Sequence, residues 1–195
     1  RRHAHTERRG IMNQGERFAK MAVEMGFSRA ACVPVSEISF DASLRRYCEM
    51  NLCGSYGNNY ACPPDCGTPE QMEAKVRKYQ NALVVQSITK VNDIRDDTET
   101  KKVKKEHNRK MSELVRELRQ AAPGGTAVMA GPCALCNECK KKKGEKCIFP
   151  EGISSCLSAY CIKAQELAEK CGMVYWCPEG EAAFFSIYLW SEEGI

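Results

Sequence analysis

No apolar run in this chain approaches the roughly 20 residues that a bilayer span needs. The start, R-R-H-A-H-T-E-R-R-G, leads into no hydrophobic signal segment. Histidine is scarce, at three, which leaves few ligands for zinc sites that pair a cysteine knuckle with histidines. There is no G-x-G-x-x-G, no Walker loop, no H-E-x-x-H and no nucleophile elbow. Dinucleotide, nucleoside-triphosphate, zincin and serine-hydrolase chemistry therefore have no signature here. Charge of one sign is lacking too. The net +4 comes from 29 basic and 25 acidic residues, and residues 1–10, with four arginines and one glutamate, carry +3 of it. The body is close to neutral, without a global nucleic-acid-binding charge.

What is present is thiol. Thirteen cysteines in 195 residues is far above ordinary usage, whereas 43% hydrophobic and 28% charged residues are typical of a globular chain with one sizeable core. A disulfide framework needs an oxidising compartment, for which the sequence offers no support. The expectation is a cytoplasmic protein with reduced thiols. Oxygen-labile ligands on this scale also hint at an anaerobic host.

The cysteines are grouped. In G-P-C-A-L-C-N-E-C-K-K-K-K-G-E-K-C-I-F-P (131–150), Cys133, Cys136 and Cys139 are spaced C-x2-C-x2-C, and Cys147 follows after seven residues with Pro150 close behind. Two intervening residues let the backbone curl so that three thiolates converge on one small volume, as the corners of a cubane iron–sulfur cluster require. Cys147 can fold back as the fourth. Structural zinc is the rival, but it usually takes two knuckles or a knuckle with histidines.

A second group, Cys48, Cys53, Cys62 and Cys66, is spaced C-x4-C-x8-C-x3-C without a C-x2-C knuckle. Gly54, Gly57, Asn58 and Asn59 permit tight positive-φ backbone that aims amide N–H groups at sulfur. Tyr56 and Tyr60 are placed to screen a metal centre from water. The alternative is a Gly/Asn/Pro-rich loop of unliganded cysteines; four thiols within nineteen residues favour a metal or cluster.

The string C-G-S-Y-G-N-N-Y-A-C-P-P (53–64), with Gly67 and Thr68 behind it, resembles a domain-of-unknown-function family of predicted metal-binding proteins found in anaerobic bacteria and archaea. The later C-A-L-C-N-E-C, C-I-F-P and S-S-C-L-S-A-Y-C-I-K strings resemble its second half. The resemblance implies two four-cysteine sites holding iron–sulfur clusters: Cys48, Cys53, Cys62 and Cys66 at one, Cys133, Cys136, Cys139 and Cys147 at the other. Cys156 and Cys161 stand where proline and glycine are more usual, so the resemblance does not make them ligands.

Around these loops the spacing predicts a helix over 16–25, a strand over 29–35 with Cys32 in the core, and a helix over 69–79 opened by Pro69. A buried strand follows over 82–88. Asp97 or Thr98 can cap a long helix to residue 120, whose apolar stripe runs through Val103, His107, Met111, Leu114, Val115 and Leu118. His107 reads as a semi-buried or edge histidine rather than a ligand. A strand over 126–130 leads into Cys133. Helical spacing continues over 157–171, and 173–176 and 183–190 read as strands. Cys156, Cys161, Cys171 and Cys177 are the makings of a third metal site, although burial accounts for Cys161 and Cys171.

The expectation is a flexible basic tail (1–13) and a single α/β domain (14–195). That domain has a mixed β-sheet, flanking helices and cluster loops at 48–66 and 133–150. The leading functional expectation is an electron carrier with two [4Fe-4S] clusters and a protein redox partner, without nucleic acid or membrane. An enzyme with one open iron, motivated by uncertainty over Cys66, and a zinc-stapled interaction module are the alternatives. Lys140, Lys141, Lys142, Lys143 and Lys146 form a basic rim that suits either an acidic partner or plain solvent.

Overall fold

The structure, a computed structural model, describes residues 12–192; nearly all of the basic tail lies outside them. Helix α1 (Gln14–Glu24) opens with a capping box. The Asn13 side chain accepts from Glu16 N at 2.8 Å, and the Glu16 carboxylate accepts from Asn13 N at 2.9 Å, which satisfies two otherwise orphaned helix donors. Strand β1 (Arg29–Pro34), the short α2 (Arg45–Glu49), α3 (Pro69–Arg77), β2 (Asn81–Lys90), α4 (Asp97–Ala121), β3 (Thr126–Val128), α5 (Ala164–Lys170) and β4 (Glu181–Trp190) follow. Thr68 and Gln71 repeat the capping box at α3, with Pro69 at the first helical position.

The four strands pair in the order β1-β2-β4-β3. The chain is α/β, and its sheet is antiparallel throughout; the isolated bridge between Met129 and Cys156 is the parallel pairing. Element order announces strands but not their direction, and here the last strand inserts between β2 and β3.

Both faces of the sheet are covered, so the central strands are apolar on both sides. On one face Leu83, Val85, Tyr188 and Trp190 pack against Phe18 and Ala22 of α1 and Met111, Leu114 and Leu118 of α4. On the other, Val33, Val84, Val128, Ile187 and Leu189 meet Met72 and Val76 of α3, Leu167 and Ala168 of α5, and Tyr160 and Cys66 of the cysteine loops. Burying each of these large side chains contributes about 1.5–3 kcal/mol. The 48–66 loop is therefore anchored in the α3/α5 face through Cys66.

Several elements differ from expectation. Asp96, not Asp97 or Thr98, caps α4, accepting from Thr98 N at 2.8 Å and Glu99 N at 3.3 Å. The helix expected over 157–171 is helical only from Ala164 to Lys170. Before it, residues 157–161 curl into a tight turn in which Cys161 takes a φ of 57°. Ala159, Tyr160, Cys161 and Ile162 are buried in succession, so the apolar positions there do not follow from a helical period. The 173–176 strand is absent because that segment crosses the sheet face: Gln86 Nε2 donates to Val174 O at 2.6 Å and Tyr175 stacks on Phe185. Cys32 is exposed on edge strand β1, not in the core, and its thiol donates to Gly15 O at 3.1 Å. The residue is exposed, but its sulfur tucks under Gly15 of α1, and that local cover, with Cys171 nearby, pushes its pKa up.

Candidate metal centres

The 133–147 loop leaves β3 and is held at once. Asn108 of α4 donates to Ala130 O at 2.7 Å and accepts from Ala130 N at 3.1 Å. Gly131 then turns at φ 77°, with Lys104 so close that an added Cβ would sit 3.1 Å from its Nζ. Beyond this turn Cys133, Cys136, Cys139 and Cys147 all line one cavity, with Leu135, Phe149 and Ile153 on its apolar side. Its empty space, the open mouth included, is about 350 Å³. Cys147 reaches the cavity because the lysine run winds into a 3-10 turn (Lys140–Lys143) closed by Gly144 at φ 67°, and Glu145 N returns to Lys140 O.

The remaining wall comes from the other cysteine loop: Asn59, Tyr60 and Ala61. Asn59, nearly buried, donates to Cys133 O at 2.9 Å and accepts from Ala61 N at 3.0 Å. Tyr60 donates its hydroxyl to Glu145 O at 2.8 Å, and Lys141 pairs with Asp65 at 2.6 Å. The basic rim is thus partly spent inside the molecule, since Lys140 also pairs with Glu145 and Lys143 with Glu138.

Loop 48–66 starts on α2, which carries Cys48, and reverses through Asn51 (φ 54°), Gly54 and Gly57. Asn51 Oδ1 accepts from Tyr56 N, Gly57 N donates to Pro63 O, and Cys66 N donates to Cys62 O. Cys66 ends the loop inside the α3/α5 core. Cys62 and Cys66 are buried and Cys53 is exposed. Above them lies the buried Arg45, whose two terminal nitrogens donate to Gly67 O at 2.8 Å and Ala159 O at 3.0 Å. Its Nε has no partner among the described residues. A buried cation with an idle donor fits an anionic group beside it.

The predicted metal-binding protein family DUF2284 has a model that matches residues 31–190. The chain belongs to that family. No curated protein matches it. Among solved structures, epoxyqueuosine reductase from Streptococcus thermophilus is similar at 10% identity and a TM-score of 0.44, over 94% of this chain and 47% of that one. The chain thus spans about half the length of that protein.

In this metal-binding chain no three His, Cys, Asp or Glu side chains among the described residues lie close enough together to hold a single ion. The thiols of the 133–147 loop instead stand around the wall of a cavity. In the 48–66 loop (the first centre in chain order, with 133–147 the second), burial pushes the Cys48 thiol up to about 11 and the Cys62 thiol up to about 12, with the neighbouring Cys156 adding to both. Cys66 is also raised by burial, against the pull of Arg45 and Lys75. Metal entry must displace these protons.

Sequence reading passed over two residues that the fold brings here. Arg45 looks like one more charge beside Arg46. Cys156 stands ninety residues beyond Cys66 in sequence and reaches the site only through the Met129 bridge. The four cysteines weighed as a third site do not assemble: Cys156 and Cys161 face the first centre, Cys171 neighbours Cys32, and Cys177 neighbours Glu181. His107 is fully buried, bonded to Ser87 at 2.5 Å and Ser186 at 2.9 Å, far into the core and no ligand candidate.

Proposed function

We propose that this metal-binding protein holds two neighbouring [4Fe-4S] clusters, one in each cysteine loop, and relays electrons to or from a protein partner. One observation carries the reading. Asn59, Tyr60 and Ala61, which complete the wall of the 133–147 cavity, immediately precede Cys62 of the first centre. Two cysteine loops in direct contact suit one-electron exchange between the groups they hold, because transfer weakens steeply with separation.

The fit rests on donor chemistry. Thiols arrayed around a cavity wall match a multi-iron cluster, whose corners lie apart, better than one zinc ion, whose ligands converge on a point. A bound cluster supplies one-electron redox chemistry. The chain supplies thiolates, a buried Arg45 against negative charge, and an apolar screen of Leu135, Phe149 and Ile153 that limits water at the second centre.

Anaerobic purification with analysis of iron, acid-labile sulfide and zinc, together with the visible spectrum, tests the proposal. About eight irons and eight sulfides per chain, with a brown colour bleached by dithionite, are expected. Colourless protein with stoichiometric zinc and no sulfide would replace it with the zinc-stapled module.

A further inference from the structure

Granted the electron relay, on which this inference rests, we infer that the open groove beside the 133–147 cavity is where the redox partner docks, and that this partner is an acidic protein seating an apolar side chain there. Leu135, Ile148, Phe149, Pro150, Glu151 and Gly152 line the groove, whose empty space, open mouth included, is about 750 Å³. Leu135, Ile148 and Phe149 are exposed to 54%, 57% and 49%. Single exposed apolar side chains are ordinary, but three large ones converging on one groove mark a surface that another molecule covers.

Position ties the groove to the second centre. Leu135 and Phe149 line both the groove and the cavity that the four thiols surround, so one layer of side chains separates a molecule seated in the groove from that centre. The backbone holds the groove in shape. Gly152 N donates to Phe149 O at 2.9 Å across the 3-10 turn Pro150–Gly152. A Cβ added to Gly152 would lie 2.9 Å from Leu135 Cδ1, so glycine there lets Leu135 lie against the turn.

The lining and the charge around it select the occupant. Glu151 is the single ionisable side chain in the lining. A small polar substrate needs several convergent polar groups to orient it, whereas an apolar side chain of a protein needs none. Residues 138–151 carry five lysines against Glu138, Glu145 and Glu151, a net charge of 5 minus 3, or +2. Lys140, Lys141 and Lys143 are taken up by Glu145, Asp65 and Glu138. Lys142 and Lys146 are exposed and form no ion pair among the described residues. Lys146 stands two residues before Ile148, and Lys142 lies on the 3-10 turn whose Lys140 lines the cavity. Two unpaired cations beside an apolar groove complement an acidic rim around an apolar side chain, which steers a partner into register. In a two-fold pairing, a second copy of this chain would bring the same lysines to the contact, like charge against like.

The test uses an acidic [2Fe-2S] ferredoxin as probe against the anaerobically purified full chain. Binding is read by isothermal calorimetry, and the contact is located by carbodiimide cross-linking of probe carboxylates to lysines. Cross-links at Lys142 and Lys146 are expected, with affinity falling at least about tenfold between about 50 and about 500 mM salt. Ile148→Ser alters a side chain that lines the groove but not the cavity. It should weaken binding about tenfold while iron content and visible spectrum stay as in wild type. The double substitution Lys142→Glu and Lys146→Glu should weaken binding as much and flatten the salt dependence. Ile94→Ser, exposed and outside the groove lining, should bind as wild type. The assignment is overturned if the probe cross-links elsewhere or not at all, or if Ile148→Ser binds as wild type. A wild-type dimer that Ile148→Ser dissociates also overturns it and gives the groove to a second copy. Iron and sulfide analysis keeps the two failures apart: wild type lacking both overturns the relay itself, and this assignment with it.

Discussion

Arg45 and His107 show the two ways in which this chain keeps a polar side chain inside. His107 is neutral: burial lowers its pKa to about 4 from an ordinary 6.5, and two serines satisfy its ring. The unfolded chain therefore takes up a proton below pH 6.5 that the folded chain refuses until about 4. The stabilisation is complete above pH 6.5 and is lost as pH falls between those values. Between pH 7.5 and 5.0 this one group removes about 2 kcal/mol. His107→Gln, measured by chemical denaturation at both pH values, should be less stable at pH 7.5 but lose about 2 kcal/mol less on acidification than wild type. Arg45 is charged and serves two carbonyls at once. Arg45→Met strands both and removes a cation beside the first centre, so we expect about 2–4 kcal/mol of lost stability and a more negative reduction potential for that centre alone in an EPR-monitored titration. Arg45→Lys should keep most of the potential. Gly125 belongs to the same scale: a Cβ there would lie 2.2 Å from the Tyr188 hydroxyl, which donates to Ala122 O at 2.7 Å. Gly125→Ala should cost about 3 kcal/mol and lower Tm by roughly 6–12 °C. The spacing of Cys133, Cys136, Cys139 and Cys147 is local, and the structure sets all four around one cavity. Sequence grouped Cys156 with Cys161, Cys171 and Cys177 instead, and gave no sign of Arg45, because the neighbours of both are chosen by tertiary folding.

Among the elements, helices with caps and periodic stripes were read within a few residues, since the capping box and the 3.6-residue period are properties of the segment itself. The failures share one cause. Ala159, Tyr160, Cys161 and Met173 are buried by what they pack on, and side-chain pattern does not report backbone form when burial comes from a tight turn or from lying across a sheet face. The loop-to-loop latch is an element-scale feature with its own test. Asn59 presents an N–H to Cys133 O and an oxygen to Ala61 N. Asn59→Asp sets a carboxylate oxygen against the Cys133 carbonyl, and should destabilise the chain by about 2–3 kcal/mol and speed oxygen bleaching of the second centre. Tyr60→Phe removes only an exposed bond to Glu145 O, so it should cost about 1 kcal/mol or less.

At the scale of the whole molecule, a small antiparallel sheet is covered by α1 and α4 on one face and by α3, α5 and the end of the 48–66 loop on the other. No helix among the described residues is long and apolar enough to cross a membrane. The sheet makes the two loops meet: β3 delivers one, α2 and α3 hold the other, and residues 59–61 stand between them. Sixty-six residues of scaffold (67–132) intervene between the loops, and nothing local in the sequence says where they return. EPR of the fully dithionite-reduced protein reads the distance between the two centres, with Cys136→Ser as the one-centre reference. Two centres in touching loops should give a spectrum split or broadened by spin–spin interaction, collapsing to a simple isolated-centre signal in Cys136→Ser. A wild-type spectrum equal to the sum of two non-interacting centres, or no iron signal at all, would contradict the two-centre relay.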